Sequence, residues 1–368
     1  MQFYPETNLI LAMATIRRDR KLPDDVAAGE VLVGERQRVD PSEVVLRGAR
    51  AGDYRILPIN PRVFGVRKVE DILPEWIQVQ PGAFVKKDAV LIQKGSNRRA
   101  PKLVAPSDCL VTRIEPDRFI LQENPVPVDV KAVYGGMVSA IRSRREIQIE
   151  AVGALIQCAW GNGKNAFALV NEEPEAGLES LADEELLTTF RGQILLLRKT
   201  LTEQTITLAL KQEAAGIIAP SMSSELRMKA VELPIPIVLT EGFGGQKMSE
   251  IVYNLLRDNA GRQLALDAIE PKRFSADRPE IFIPLPSGGG LPPMPDRDQP
   301  LVEGLQVRIV RAPQDGLAGR IKRVIPTPQP LDNGLRSAGA EIELPNGKVV
   351  FVPLANIEVL GRPADSRR

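Results

Sequence analysis

The apolar positions of this chain change period along its length, and the changes divide it. Up to about residue 170 they occur in short alternations broken by Gly and Pro, which predicts many short strands. Between 181 and 286, short apolar runs alternate with segments of helical period. Residues 194–197, 216–220 and 235–240 read as strands, and 263–268 and 280–283 as two more. Residues 205–215, 223–231 and 249–258 read as helices, the last stopped by a C-cap at Gly261. Strand alternating with helix predicts a parallel sheet with covering helices. From 301 to 361 the strand pattern returns. Two composition breaks separate these regions: 171–180, acidic with Pro and Gly, and a Pro/Gly-rich linker at 287–300. A polar tail, 362–368, ends the sequence.

The first region repeats itself. Residues 38–46 align with 84–92, pairing Val39 with Val85 and Val45-Leu46 with Leu91-Ile92. A second pair, offset by 27 residues, aligns Ala105, Cys109, Val111, Ile114 and Ile120 with Ala132, Gly136, Val138, Ile141 and Ile147. Each copy reads as a strand–turn–strand unit with one apolar face. Two copies facing each other are expected to make a compact β sandwich.

Composition narrows the chemistry. The 368 residues imply two to three domains. Lys plus Arg number 48 and Asp plus Glu 47, so no global basic field attracts nucleic acid, although a local patch can. Histidine is absent, which removes Ser-His-Asp and Cys-His catalysis and every His-ligated zinc or haem site. The two cysteines, Cys109 and Cys158, exclude a Cys₄ metal site within one chain and read as buried small apolar residues. The apolar run at 9–16 is far shorter than the roughly twenty residues of a membrane span. It reads as a buried helix or strand, and the chain is expected to be cytoplasmic with no membrane partner. The acids Glu172-Glu173 and Asp183-Glu184-Glu185 read as solvated linker and helix-start charges.

Two stretches resemble known families. Residues 79–91, with Gly82, Val85 and Leu91, and 104–111, with Ala105-Pro106, Cys109 and Val111, look like the turn and strand motifs of biotinyl/lipoyl-type domains. The resemblance covers about 75–160 and implies a barrel-sandwich hybrid. The modified lysine's place is taken by Arg98, which cannot be acylated as lysine can, so a structural barrel is expected and no cofactor. Residues 304–324, with Gly304, Gly316 and Gly319 between alternating apolar positions, resemble the KOW motif of NusG-type transcription factors. An Asn346-Gly347 hairpin and a closing strand at 357–360 fit the rest of that family's SH3-like β-barrel. The expected fold is therefore multidomain α+β: a β-rich region at 1–170 holding the barrel-sandwich hybrid, a central α/β parallel-sheet domain at 181–286, and a C-terminal SH3-like barrel at 301–361.

The KOW resemblance implies contact with RNA, a nucleoprotein complex or another protein. The candidate nucleic-acid residues are Arg308, Arg311, Arg320, Lys322 and Arg323, five bases in a segment with one acid, Asp315. A solvated barrel exterior explains them equally well. A second candidate lies at the carboxyl ends of the α/β strands, where open sheets hold ligands. It comprises Ser221, Ser223, Thr240, Glu241, Gly242, Gly244 and Lys247, a glycine-rich turn suited to a small anion. A tight strand-to-helix turn with Ser and Thr caps suits the same residues. No catalytic residue or metal ligand is assigned. The chain reads as a non-enzymatic interaction protein. The alternatives are an enzyme or sensor using the glycine-rich turn, and a scaffold subunit of a cofactor or electron-transfer complex.

Overall fold

The computed structural model describes residues 10–95, 97, 99–178, 190–272, 277–286, 290–292, 294, 301–311, 313–314 and 316–360. The tail at 362–368, most of the 287–300 linker, Arg98 and the 183–185 acids lie outside the described residues.

The first region forms strands β1 (Ile10–Lys21), β2 (Val26–Val31), β3 (Arg38–Val39), β4 (Val44–Arg50) and β5 (Tyr54–Pro58). Then come β6 (Phe84–Val85), β7 (Val90–Gln93), β8 (Lys102–Val104), β9 (Cys109–Glu115) and β10 (Arg118–Glu123). The region ends with β11 (Val126–Lys131), β12 (Gly136–Ser143), β13 (Glu146–Gln157), β14 (Trp160–Gly161) and β15 (Lys164–Glu172). The apolar run near the start is thus strand from Ile10 on, buried at Ile10 and from Ala14 to Ile16 and exposed at Ala12 and Met13. The second region forms β16 (Ile194–Leu196), α1 (Glu203–Lys211), β17 (Gly216–Met222), α2 (Arg227–Glu232), β18 (Ile237–Phe243), α3 (Glu250–Arg257), β19 (Gln263–Ala268) and β20 (Glu280–Pro284). The last forms β21 (Gln306–Ile309), β22 (Ala318–Pro330), β23 (Arg336–Glu343), β24 (Val349–Pro353) and β25 (Ile357–Val359).

The helices follow the periodicity, with ends moved by their caps. Helix α1 begins two residues before the apolar pattern because Thr202 Oγ1 accepts the Thr205 N–H at 3.1 Å. Helix α3 stops at Arg257 with Asp258 as its cap. Gly261 is not that cap but the left-handed residue of the turn that follows (φ 78°), and its N–H reaches the Val170 carbonyl.

Strands β15, β16, β17 and β18 are mutually parallel and lie side by side, as the β–α alternation predicts. The sheet does not stop at the 171–180 break. Its order is β14-β18-β17-β16-β15-β19-β20-β13-β12-β3, with β1 also on β13, so strands from both regions share one sheet. Alternating side chains sort its two faces. Ile218, Val238 and Leu196 join Val252 and Leu256 of α3 on one side; Ile217, Leu239 and Leu195 join Ile206 and Ala209 of α1 on the other. Asn162, in the Asn-Gly turn between β14 and β15, pins the sheet to α2. Its side chain donates to the Ala230 and Ile235 carbonyls and accepts the Ile237 N–H.

The internal repeat is visible in the backbone bonds. Val39 pairs with Gly136 in one copy and Val85 with Cys109 in the other, matching the sequence alignment. The Glu43 N–H bonds the Asp40 carbonyl, and the Ala89 N–H bonds that of Lys86. The Ala132 N–H bonds the Glu43 carbonyl, and the Ala105 N–H that of Ala89. The copies do not, however, face each other across a shared core. Val39, Val45, Leu46, Ala132 and Val138 close one core, and Val85, Leu91, Ile92, Ala105 and Val111 another. The reason is that each copy recruits its own lids. Strands β1 and β20 join the first copy through β13, whereas β5 and three short 3₁₀ turns between 61 and 76 cover the second.

The C-terminal strands form an antiparallel sheet in the order β24-β23-β22-β21-β25 over a separate core of Val307, Ile309, Ile321, Ile342 and Val352. Gly347 turns the β23–β24 hairpin with φ 78°, as the Asn-Gly pair predicts. The end strands β24 and β25 are not paired, so the expected closed barrel is an open five-stranded sheet. Among the described residues no helix is long and apolar enough to cross a membrane.

The repeat generates a test. A Cβ on Gly136 would lie 2.1 Å from the Glu150 carbonyl oxygen, backbone that cannot move aside without breaking the β12–β13 ladder. Gly136→Ala is expected to lower the urea-unfolding free energy by about 1–3 kcal/mol, although the aligned Cys109 carries a side chain. An unchanged midpoint would show that the ladder is looser than described.

Candidate functional site

The predicted nucleic-acid residues do not form one surface. Arg308, on β21, is 2% exposed. Its Nη1 donates to Glu241 Oε1 at 2.9 Å, its Nε to Glu358 Oε2 at 3.0 Å, and its Nη2 bonds the same Glu358 oxygen. Arg308 is therefore a buried tie between the C-terminal sheet and β18, and its assignment to nucleic acid is corrected: a guanidinium enclosed by two carboxylates has no face left for a phosphate. Arg311, Arg320, Lys322 and Arg323 are exposed. Arg323 pairs with Glu341 at 2.9 Å, and Arg320 stands directly opposite Glu343. The segment's positive charge is thus met by cross-strand acids that a count within 304–324 does not include.

The glycine-rich turn does bring its residues together, but it uses its polar groups internally. Ser221 is buried and donates to the Gln246 carbonyl at 2.8 Å. Ser223 caps the next turn by accepting the Glu225 N–H. Gly242 and Gly244 hold φ of 94° and 119°, and the Gly244 N–H is taken by the Met222 carbonyl. Glu241 accepts both the Ser249 N–H and Arg308, and burial still raises its carboxyl above the usual range. The Thr240 hydroxyl is buried without a partner, and Lys247 is exposed at the edge. The segment is built as the tight strand-to-helix turn. Two acids of the 171–180 break are also structural: Glu173 is buried and accepts the Arg198 N–H at 2.7 Å, and Glu172 accepts from Tyr253 Oη at 3.0 Å. Cys109 and Cys158 are buried free thiols in different cores.

A cleft not expected from the sequence lies elsewhere. It has a volume of about 850 Å³ and is lined by β1, β11, β19 and β20, with Thr15 and Met294 also lining it. Its floor is Tyr134, 1% exposed, whose hydroxyl lies 3.1 Å from Asp267 Oδ2 and 3.4 Å from Glu280 Oε2. Arg20 Nη1 donates to Asp267 at 2.9 Å. Arg18 donates to Glu280 from Nε at 2.6 Å and from Nη2 at 2.7 Å, and Gln157 Nε2 donates to Glu280 Oε1 at 2.9 Å.

The sheet's alternation explains this cluster. Ala14 and Ile16 of β1, Ala265 of β19 and Phe282 of β20 point into the core of the first repeat copy. Arg18 and Arg20, Asp267, and Glu280 continue those same faces at period two. Asp267 and Glu280 are cross-strand partners, next to the Ala265–Phe282 pair, and Tyr134 packs edge-on to Phe282 at 5.6 Å. The cleft floor is thus the polar end of an apolar core. Arg18 stands opposite Ile149 of β13, and Glu280 opposite Gln157. Eight residues of strand would separate those positions by about 26 Å if extended, so the bidentate pair requires a strongly coiled sheet. Burial, then the two carboxylates, push the Tyr134 hydroxyl well above its ordinary pKa, which keeps it a neutral donor.

Against known proteins, the chain matches no family model and no curated sequence.

Asp267 carries a pH test. Burial raises its carboxyl above the usual range, offset only in part by Arg20. The folded state therefore binds this proton more tightly than the unfolded state. The associated stability is complete below the unfolded value of about 3.9 and is lost as pH rises through the folded one. Asp267→Asn removes that titration. Relative to the wild type, its unfolding free energy should improve as pH rises above about 4. A difference independent of pH in urea titrations would contradict the raised carboxyl.

Proposed function

We propose that this protein is a non-enzymatic multidomain interaction protein, and that its central cleft takes up a polar small molecule. The observation behind this reading is the state of the floor. Both oxygens of Glu280 are occupied by Arg18, with Gln157 and Tyr134 adding to them, and Asp267 is held by Arg20 and Tyr134. Groups so committed orient a ligand; they are poor proton acceptors for a reaction. Two arginines face two carboxylates, so the floor does not select for net charge. It favours a ligand rich in hydrogen-bond donors and acceptors, such as a polyol or a zwitterion.

Thermal shift of the full chain against neutral polyols, amino acids and nucleotides tests this. A ligand that binds only the folded state raises stability by about 2.7 kcal/mol at a hundredfold excess over Kd. The expected result is a rise with a polyol or zwitterion that falls in Tyr134→Phe. No rise with any of these classes, or one unchanged in Tyr134→Phe, would remove the reading.

A second reading assigns the C-terminal sheet to RNA or a nucleoprotein partner, following its KOW-like sequence. In its favour, Arg311, Arg320 and Lys322 are exposed, and none of them has an ion pair among the described residues. Anisotropy of labelled RNA at two salt concentrations should show salt-sensitive binding that is lost in Arg320→Glu/Lys322→Glu. Binding that survives both reversals would reject this surface.

A further inference from the structure

The second repeat copy holds a group of cations without ion pairs among the described residues. Strands β7 and β8 are joined by a loop at 94–101, and its turn is closed by the Ala100 N–H on the Asn97 carbonyl at 2.8 Å. Across from it lies the 3₁₀ turn Pro61–Phe64, started by Asn60, which accepts the Arg62 N–H, and ended by Gly65 at φ 68°. Between them is a pocket of about 510 Å³. Arg62, Lys94 and Arg99 line it, with Asn97, Phe64 and Pro101, and no carboxylate is among its lining residues.

Lys94 is the informative residue. It is half-buried, yet it has no acidic partner among the described residues. Its Nζ donates to the Phe64 carbonyl at 2.7 Å and sits 5.2 Å from the centre of the Trp76 ring. Trp76 is in turn stacked on Phe64 at 6.4 Å. One carbonyl and one ring face hold the ammonium in place without neutralising it, and two of its three protons remain to be satisfied. Arg62 and Arg99 are exposed on either side of it and form no ion pair among the described residues. Each guanidinium presents a planar fork suited to two oxygens of a tetrahedral anion. A held charge with two exposed forks in the same pocket is arranged for an oxyanion. The volume exceeds one such group, so there is room for what the group is attached to.

We infer that the pocket between the 94–101 loop and the Pro61–Phe64 turn binds the terminal phosphate group of a small phosphorylated molecule, through Lys94, Arg62 and Arg99. This site is separate from the central cleft and does not depend on what the cleft binds.

The test titrates the full chain into pyrophosphate at low ionic strength and follows the ³¹P resonance, with chloride at matched ionic strength as the control. Wild-type protein is expected to give a saturable shift. Arg62→Glu/Arg99→Glu changes only exposed side chains, so its urea midpoint should equal that of the wild type while its affinity falls at least about tenfold. Lys94→Met should weaken binding further. A short single-stranded oligonucleotide is run in parallel to separate a terminal phosphoryl group from a nucleic-acid backbone. No saturable shift, equal affinity in the double variant, or binding of the oligonucleotide alone would each overturn the inference.

Discussion

Strand β13 has two edges to satisfy over twelve residues, and the rest of the molecule is arranged by how it does so. Strand β1 takes one edge along nearly its whole length. The other edge is divided: β12 covers the first part, from Glu146 to Glu150, and β20 the last, from Gly153 to Gln157. A hairpin of the repeat is thereby continuous with the sheet that carries β15 to β18. Leaving either half unpaired would expose a row of backbone donors and acceptors in an apolar interior. Gly153 stands where the second partner arrives. A side chain there would meet the Ile283 carbonyl oxygen at 2.1 Å, so close approach of β20 demands glycine.

Joining the two regions through one sheet brings charged residues to the ends of apolar faces, and the charges are resolved in two places. At the cleft, Arg18 and Arg20 meet Glu280 and Asp267. At the junction with the C-terminal sheet, Arg308 meets Glu241 and Glu358. Desolvating such groups is costly, and their attraction often only offsets that cost. What the pairs supply is orientation. Removing one partner of a buried pair costs about 3–5 kcal/mol, because the other charge is left uncompensated. The position of the C-terminal sheet on β18 is therefore fixed by more than the apolar contacts of Leu360 and Ala318.

These pairings decide what could be read in advance. The parallel strands, the Asn-Gly turns and the internal repeat are local: each depends on side-chain period or on residues close in sequence. The cleft joins residues 18, 20, 134, 267 and 280, with Gln157 bonded to the last, and nothing in their spacing connects them. A signal did exist, since Arg18 and Arg20 continue the inward alternation of Ala14 and Ile16, and a charge on an inward face needs a partner. Asp267 after Ala265, and Glu280 before Phe282, repeat it. Arg308 failed as a nucleic-acid residue for the same reason. Its neighbours Val307 and Ile309 mark a core strand, but the acids that enclose it are 67 and 50 residues away.

The repeat carries different polar groups on a shared frame. The backbone bond from Ala132 to Glu43 and that from Ala105 to Ala89 are equivalent, but the copies part at the next residue: Val133 is left-handed (φ 65°), a conformation closed to the aligned Pro106. Two positions on, one copy has Tyr134 and the other Ser107. The tyrosine spans the distance to Asp267 and Glu280, whereas the Ser107 hydroxyl is buried with no partner. The first copy therefore reaches into a cleft that β19 and β20 complete. The second copy, without that reach and without those strands, keeps its polar chemistry at its own hairpin loop, where Lys94 lies over Trp76. One backbone pattern thus carries two polar arrangements: a buried, charge-balanced cluster where the copy is absorbed into the large sheet, and, among the described residues, a group of cations without ion pairs where it is not.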